Sequence, residues 1–211
     1  MPIVKSGNCQ MPAWCELEFF EIVQLEPGTS HRFERCGERE KLILADGRCT
    51  ICYENQKMPV GKGANLSLSN PHDRFEISEV SQKAIVVRMC GRWKLETGGS
   101  GLFSVSNSLK PMDEGDPCSY PKSTNFDRHY HDCDEYWILV AGEGLAVSED
   151  KFYRLRAGDC LVTGMGHHHD FPEVYDPVTA IYFETTLEGR KRLGHLWNHR
   201  DGCAEPKADR I

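Results

Sequence analysis

Short apolar, β-branched and aromatic segments recur every 8–12 residues along this chain, with turn residues between them. In the first half they are Leu17–Val23, Lys41–Ala45, Arg48–Tyr53, Phe75–Val80 and Lys83–Met89. Leu102–Val105, Glu135–Val140, Gly144–Ser148, Asp159–Thr163 and Val178–Thr185 follow. Spacing this tight leaves no room for helical crossovers, and a 3.6-residue apolar period is only weakly present, after Leu187. The expected class is all-β, as a sandwich or barrel.

A weak internal repeat divides the chain. Glu40–Gly47 matches Glu135–Gly142 at an offset of 95, Ala84–Arg88 matches Ala180–Glu184 at 96, and His72-Asp73 matches His169-Asp170 at 97. Between the copies lies a stretch that opens with Gly98-Gly99-Ser100-Gly101 and carries Pro111, Pro117 and Pro121. The expected organisation is a first β-domain over 1–93, a linker over 94–124, a second β-domain over 125–187 with 102–106 as an added strand, and a tail over 188–211. Apolar residues on both faces of Leu42-Ile43-Leu44 and Trp137-Ile138-Leu139-Val140 predict that the two domains pack together.

Lys and Arg number 25 against 32 Asp and Glu, a net charge of −7. That balance disfavours nucleic acid and anionic membranes as partners. The longest clean apolar run, Tyr136–Ala141, is far short of the roughly 18 residues of a spanning helix. No apolar export segment follows Met1, so the expected location is cytoplasmic. The ten cysteines are accordingly expected as reduced, mostly buried thiols. Cys49 and Cys52 form the one Cys-x-x-Cys pair, but on a strand residues three apart face opposite sides.

Seven of the nine histidines fall after residue 128. In His129-Tyr130-His131-Asp132-Cys133-Asp134-Glu135, strand alternation turns both imidazoles to one side, and a turn at Asp132–Asp134 returns Glu135 beside them. Two neutral imidazoles and a carboxylate suit a borderline divalent metal. A further ligand is available in His167-His168-His169.

These residues resemble the cupin superfamily. Its first motif, G(X)5HXH(X)3–4E(X)6G, is met by His129, His131, Glu135 and Gly142, with Ser123 in place of the leading glycine. Its second, G(X)5PXG(X)2H(X)3N, is met by Gly158, Gly166 and His169, with Gly164 for the proline and Glu173 for the asparagine. The resemblance covers about residues 102–187. It implies a double-stranded β-barrel of jelly-roll type holding one divalent transition metal (Fe, Mn, Ni or Zn) on His129, His131, Glu135 and His169, and makes the chain look like a bicupin. In the first copy His31-Arg32-Phe33, Glu40 and His72 are too scattered to hold a metal, which implies a degenerate, metal-free barrel.

Around the ligand set, Trp137 is expected to face the cavity as core. Tyr182 and Glu184, on one face of the last strand, are candidate proton donor and base. His167 shares the parity of His169 and is a third catalytic candidate, with a solvated turn as the alternative. His168 should point to solvent, and Cys133 should sit in the turn rather than act as a soft ligand. Arg190-Lys191-Arg192 reads as a solvated face, and Gly194 and Asn198 weaken a helical pairing of His195 with His199. Three imidazoles and one carboxylate leave open metal positions, the layout of a catalytic site. The reading is an isomerase or epimerase of a small hydroxy-carbonyl, sugar-like compound, with a mononuclear iron dioxygenase and a non-catalytic binding module as alternatives. Expected partners are the small-molecule substrate and, at most, a second copy in a homodimer.

Overall fold

The computed structural model describes all residues except 1–2, 7–9, 69–73, 112–114, 189–195, 197–198 and 200–201. Cys9, His72, Arg190, Lys191, Arg192 and His195 therefore lie outside the described residues. The described part holds twelve strands: β1 Ile3–Lys5, β2 Leu17–Leu25, β3 His31–Glu34, β4 Arg39–Tyr53, β5 Gln56–Gly61, β6 Asn65–Leu68, β7 Arg74–Gly91, β8 Ser100–Val105, β9 Glu135–Ser148, β10 Lys151–Arg156, β11 Asp159–Thr163 and β12 His169–Glu184. No helix among the described residues is long and apolar enough to cross a membrane.

The all-β class is what the structure shows, with the strands in two antiparallel sheets. One has the order β1-β11-β9-β12-β8, with β10 on β9. The other runs β2-β7-β4-β5, with β3 on β7 and β6 on β4. Neither hydrogen-bonded path closes on itself, so the expected closed barrels are in fact two open sheets. Closure is replaced by length. β4, β7 and β9 each run through what the sequence suggests are two separate strands, bending at register shifts. Gly47 in β4 and Gly142 in β9 sit at two of these bends with φ of 85° and 83°. An added Cβ would strike the carbonyl of Lys83 at the first and of Pro177 at the second. Asp46-Gly47, between two segments that the sequence separates, is thus a kink inside one strand.

The chain forms two compact units: residues 6–11 and 15–93 make one, and residues 1–5, 12–14 and 94–211 the other. β1 therefore belongs with the C-terminal half of the chain, where Ile3 pairs with Leu161 and Lys5 with Asp159. The glycine- and proline-bearing stretch after Lys94 also belongs to that unit, and β8 within it pairs with β12 from Val105↔Val178 to Ser100↔Phe183.

Each unit has its own core. In the first, Leu42, Leu44, Ile51, Phe75, Ile77 and Val86 are buried together. In the second, Trp137, Leu139, Leu161, Phe171 and Ala180 are. Each large side chain removed from water contributes about 1.5–3 kcal/mol. Not every thiol is free: Cys36 and Cys90 are joined in a disulfide across a sequence separation of 54. The expectation of reduced cysteines fails there because strand pairing brings Cys90 beside Glu40, four residues from Cys36. Cys49, Cys52 and Cys133 are free.

Candidate metal centre

Three elements converge on one point. His169 opens β12 and forms an isolated antiparallel bridge with His129, each backbone N–H donating to the other's carbonyl at 2.9 and 3.1 Å. Glu135 opens β9, opposite Glu184 of β12 and Thr163 of β11. His131 lies between, in irregular chain rather than the regular strand that the alternation predicts. The segment is pinned from both ends: His131 O accepts from Gly166 N at 2.9 Å, and Asp134 Oδ1 accepts from Met165 N at 2.9 Å. Arg210 also donates to Asp134 Oδ1, at 2.8 Å.

His129, His131, Glu135 and His169 are all buried, and one donor atom of each lies within 4.8 Å of the others. Bonds of about 2.0–2.2 Å to a shared ion require such closeness. His131 Nε2 and His169 Nε2 stand 3.2 and 2.6 Å from Glu135 Oε2. Glu135 Oε2 and His169 Nε2 are nonetheless without a hydrogen bond. Stranded polar atoms in a protein interior are costly unless something satisfies them. The outer nitrogens explain the arrangement. His129 Nδ1 donates to Asp127 O at 2.8 Å, and His169 Nδ1 to His167 O at 3.0 Å. A carbonyl only accepts, so each Nδ1 carries the proton and each Nε2 presents a lone pair inward. Burial pushes the Glu135 carboxyl up, but the His131 and His169 imidazoles in their protonated form outweigh it and hold the group well below the usual carboxylate range. Imidazoles exert that pull only when protonated, whereas a bound cation exerts it at any pH. The donor set thus fits a divalent metal.

Beside the four lies a cavity of about 500 Å³, walled by Phe103, Phe126, Trp137 and Tyr182. Glu184 and Asp127 line it as well. Glu184 Oε1 is 3.6 Å from His131 Nε2, and its Oε2 accepts from Gly99 N. Burial, and then Glu184 and Glu135, raise the Tyr182 phenol above its ordinary value.

Tyr182, Glu184 and Trp137 therefore sit with the four ligand candidates, but His167 does not. Its Nε2 donates to Lys207 O at 3.0 Å, so residues near the C-terminus occupy it and it is absent from the cavity wall. His168 is half-buried and is not left to solvent alone. Its Nε2 bonds Asp116 Oδ2 at 2.8 Å, and burial lowers its pKa against the opposing pull of Asp116. Asp116 also bonds His199 Nε2 at 3.2 Å, and Tyr130, between His129 and His131, reaches His199 Nδ1 at 2.9 Å. Cys133 is buried outside the four-atom group, its thiol pushed up by burial and by Glu184 and Glu135. Sequence reasoning missed Gly98, Gly99, Phe103, Phe126 and Asp127. The two glycines carry a signal of their own: a Cβ on Gly98 would collide with Glu184, and one on Gly99 would press on Tyr182.

No family model matches the chain. It is 41% identical over 211 residues to the uncharacterized protein y4oW of Sinorhizobium fredii, covering all of this chain and 97% of that protein. Among solved structures, it is similar to vicilin from Corylus avellana (13% identity, TM-score 0.57), covering 81% of this chain and 75% of that one. A deletion mutant of Bacillus subtilis oxalate decarboxylase is similar at 9% identity and TM-score 0.54, over 78% of this chain and 68% of that one.

Proposed function

We propose that this chain, which belongs to one family with y4oW of Sinorhizobium fredii and has a fold similar to those of vicilin and oxalate decarboxylase, is a cupin and a metal-dependent isomerase or epimerase of a small hydroxy-carbonyl, sugar-like compound. The observation that carries the reading is Glu184, a second carboxylate beside the ligand set but outside it. A divalent metal on His129, His131, Glu135 and His169 would supply Lewis-acid polarisation of a carbonyl oxygen. Fe, Mn, Ni and Zn all accept such donors.

Glu135 cannot exchange protons while it serves as a ligand. Glu184 can: its Oε2 is fixed by the Gly99 amide, which leaves Oε1 to take a proton from the carbon next to the carbonyl and return it to a neighbouring one. Tyr182, whose phenol is kept protonated by burial and the two carboxylates, donates to the carbonyl oxygen as it gains charge and takes a proton back from the adjacent hydroxyl as that becomes the new carbonyl. Phe103, Phe126 and Trp137 keep water from the site.

The test is solvent-deuterium exchange into candidate aldoses and ketoses, followed by NMR with the metal-loaded protein. Glu184→Gln should slow exchange by about 10²–10⁴-fold while bound metal, measured separately, stays unchanged. Oxygen uptake by the iron-loaded protein without C–H exchange would favour a dioxygenase, and ligand binding with neither reaction a binding module.

A further inference from the structure

Resting on that reading of the site, we infer that the substrate carries no negative charge: the cavity is built for an uncharged polyhydroxy compound or its amino derivative, and against a sugar phosphate or sugar acid. Three carboxylates, Asp127, Glu135 and Glu184, line the cavity, and no lysine or arginine among the described residues does. The cations nearest in sequence are committed elsewhere. Lys122 pairs with Asp170 at 3.0 Å and donates to Phe126 O, and Arg128 donates to Pro117 O at 3.1 Å. Arg210 is held by Asp134 and Glu188 at 2.8 and 3.2 Å.

The charge balance follows directly. Two positive charges on a divalent metal against three carboxylates leave the filled cavity with one net negative charge. A neutral ligand keeps it at one, a cationic ligand cancels it, and an anionic ligand doubles it. Charges in a water-poor cleft interact more strongly than in bulk solvent, so this difference discriminates between ligands. Phosphate and carboxylate recognition ordinarily relies on arginine forks, lysines or helix N-termini, and none of these faces the cavity among the described residues. Its walls are instead aromatic: Phe103 and Phe126 stand 5.6 and 5.1 Å from Trp137, ring centre to ring centre. Such faces cover the C–H faces of a sugar ring, while Asp127 and Glu184 accept from its hydroxyl or ammonium groups.

The test uses three probes that share one chelating head group and differ in charge: catechol, dopamine and 3,4-dihydroxybenzoate. Each is titrated calorimetrically into the zinc-loaded protein, with zinc content assayed before and after. We expect dihydroxybenzoate to bind at least about tenfold more weakly than catechol, about 1.4 kcal/mol, and dopamine to bind at least as tightly as catechol. In Asp127→Asn/Glu184→Gln, checked for the same zinc content, the spread should shrink to about threefold or less (about 0.65 kcal/mol). Equal affinities, a preference for dihydroxybenzoate, or no binding by any of the three would overturn the inference. The expected order without isomerisation of any sugar would leave the inference standing and sink the isomerase reading alone.

Discussion

Glu135 in one unit and Glu40 in the other occupy matching places, and different side chains surround them. Along β9 and β12, Glu135 faces Glu184, Trp137 faces Tyr182 and Leu139 faces Ala180. Along β4 and β7, Glu40 faces Cys90, Leu42 faces Arg88 and Leu44 faces Val86. The bridge from His129 to His169 has its counterpart in the pair Phe33↔Phe75, with ring centres 4.4 Å apart in the first case and 4.8 Å in the second. His131 precedes Glu135 by four residues, as Cys36 precedes Glu40. Where His131 approaches Glu184, Cys36 is bonded to Cys90. The Arg88 guanidinium lies over both phenylalanine rings, 5.2 and 5.5 Å from their centres, and pairs with Glu40. Arg35 holds the other oxygen of Glu40 at 2.7 Å.

A buried carboxylate in this fold therefore needs a cation, and the two units meet that need differently. One converges lone pairs that a removable ion can occupy, while the other carries its cation on a side chain and stacks it on aromatic faces. The cysteines beside Glu40 offer no thiolate, because both are consumed in the disulfide.

The comparison breaks most visibly at Arg88. Arg88→Met leaves Glu40 buried with one partner fewer and should cost about 3–5 kcal/mol in denaturant unfolding of the first unit. Adding Glu40→Gln should recover part of the loss. A cost below about 1 kcal/mol, the range of an exposed pair, would mean that the guanidinium does not serve as the cation of this centre. Next in size is the cross-link: Cys36→Ala/Cys90→Ala should remove about 2–4 kcal/mol from the first unit and leave metal binding intact.

The smallest effect sharpens the other side. Bound metal should number one per chain, and His169→Ala should weaken it by more than about 100-fold. Ligation requires neutral imidazoles, so protons compete as pH falls below about 6.5. The metal-induced rise in melting temperature should therefore be full at and above about pH 7, shrink as pH falls through about 6.5 towards 5, and be absent from His169→Ala throughout. Each tenfold loss of affinity removes about 1.4 kcal/mol of that stabilisation once metal is in excess. Two metals per chain, or an unchanged increment at pH 5, would overturn the contrast between the units.

How much of this was legible follows from where each signal is written. The convergence of four side chains could be read because His129, His131 and Glu135 are close in sequence and His169 sits in a second short motif. Strands buried on both faces, such as Trp137–Val140, show themselves as apolar runs. Edge strands such as β5, with Gln56, Lys57 and Pro59, and β10, with Lys151, Arg154 and Arg156, carry too much charge and too little alternation to be seen. Arg88 stayed hidden for a different reason. Matching sequence at an offset of 96 sets it against Glu184, whereas strand pairing sets Cys90 there (184 − 90 = 94) and Arg88 against Tyr182. Register along a long bulged strand depends on cross-strand contacts that a single sequence does not display.

The three-residue strand at Ile3–Lys5 has a consequence for how the molecule is made. Its partner, Asp159–Thr163, leaves the ribosome more than 150 residues later. At about 5–20 residues per second, that strand waits roughly 8–30 s for the edge it will pair with, while the unit formed by 15–93 has all its strands in hand. During synthesis its backbone is therefore open to chaperones, to proteases and to the same edge on a neighbouring nascent chain. That edge belongs to the sheet that holds His169 and Glu135, not to the unit that follows Ile3–Lys5 in sequence.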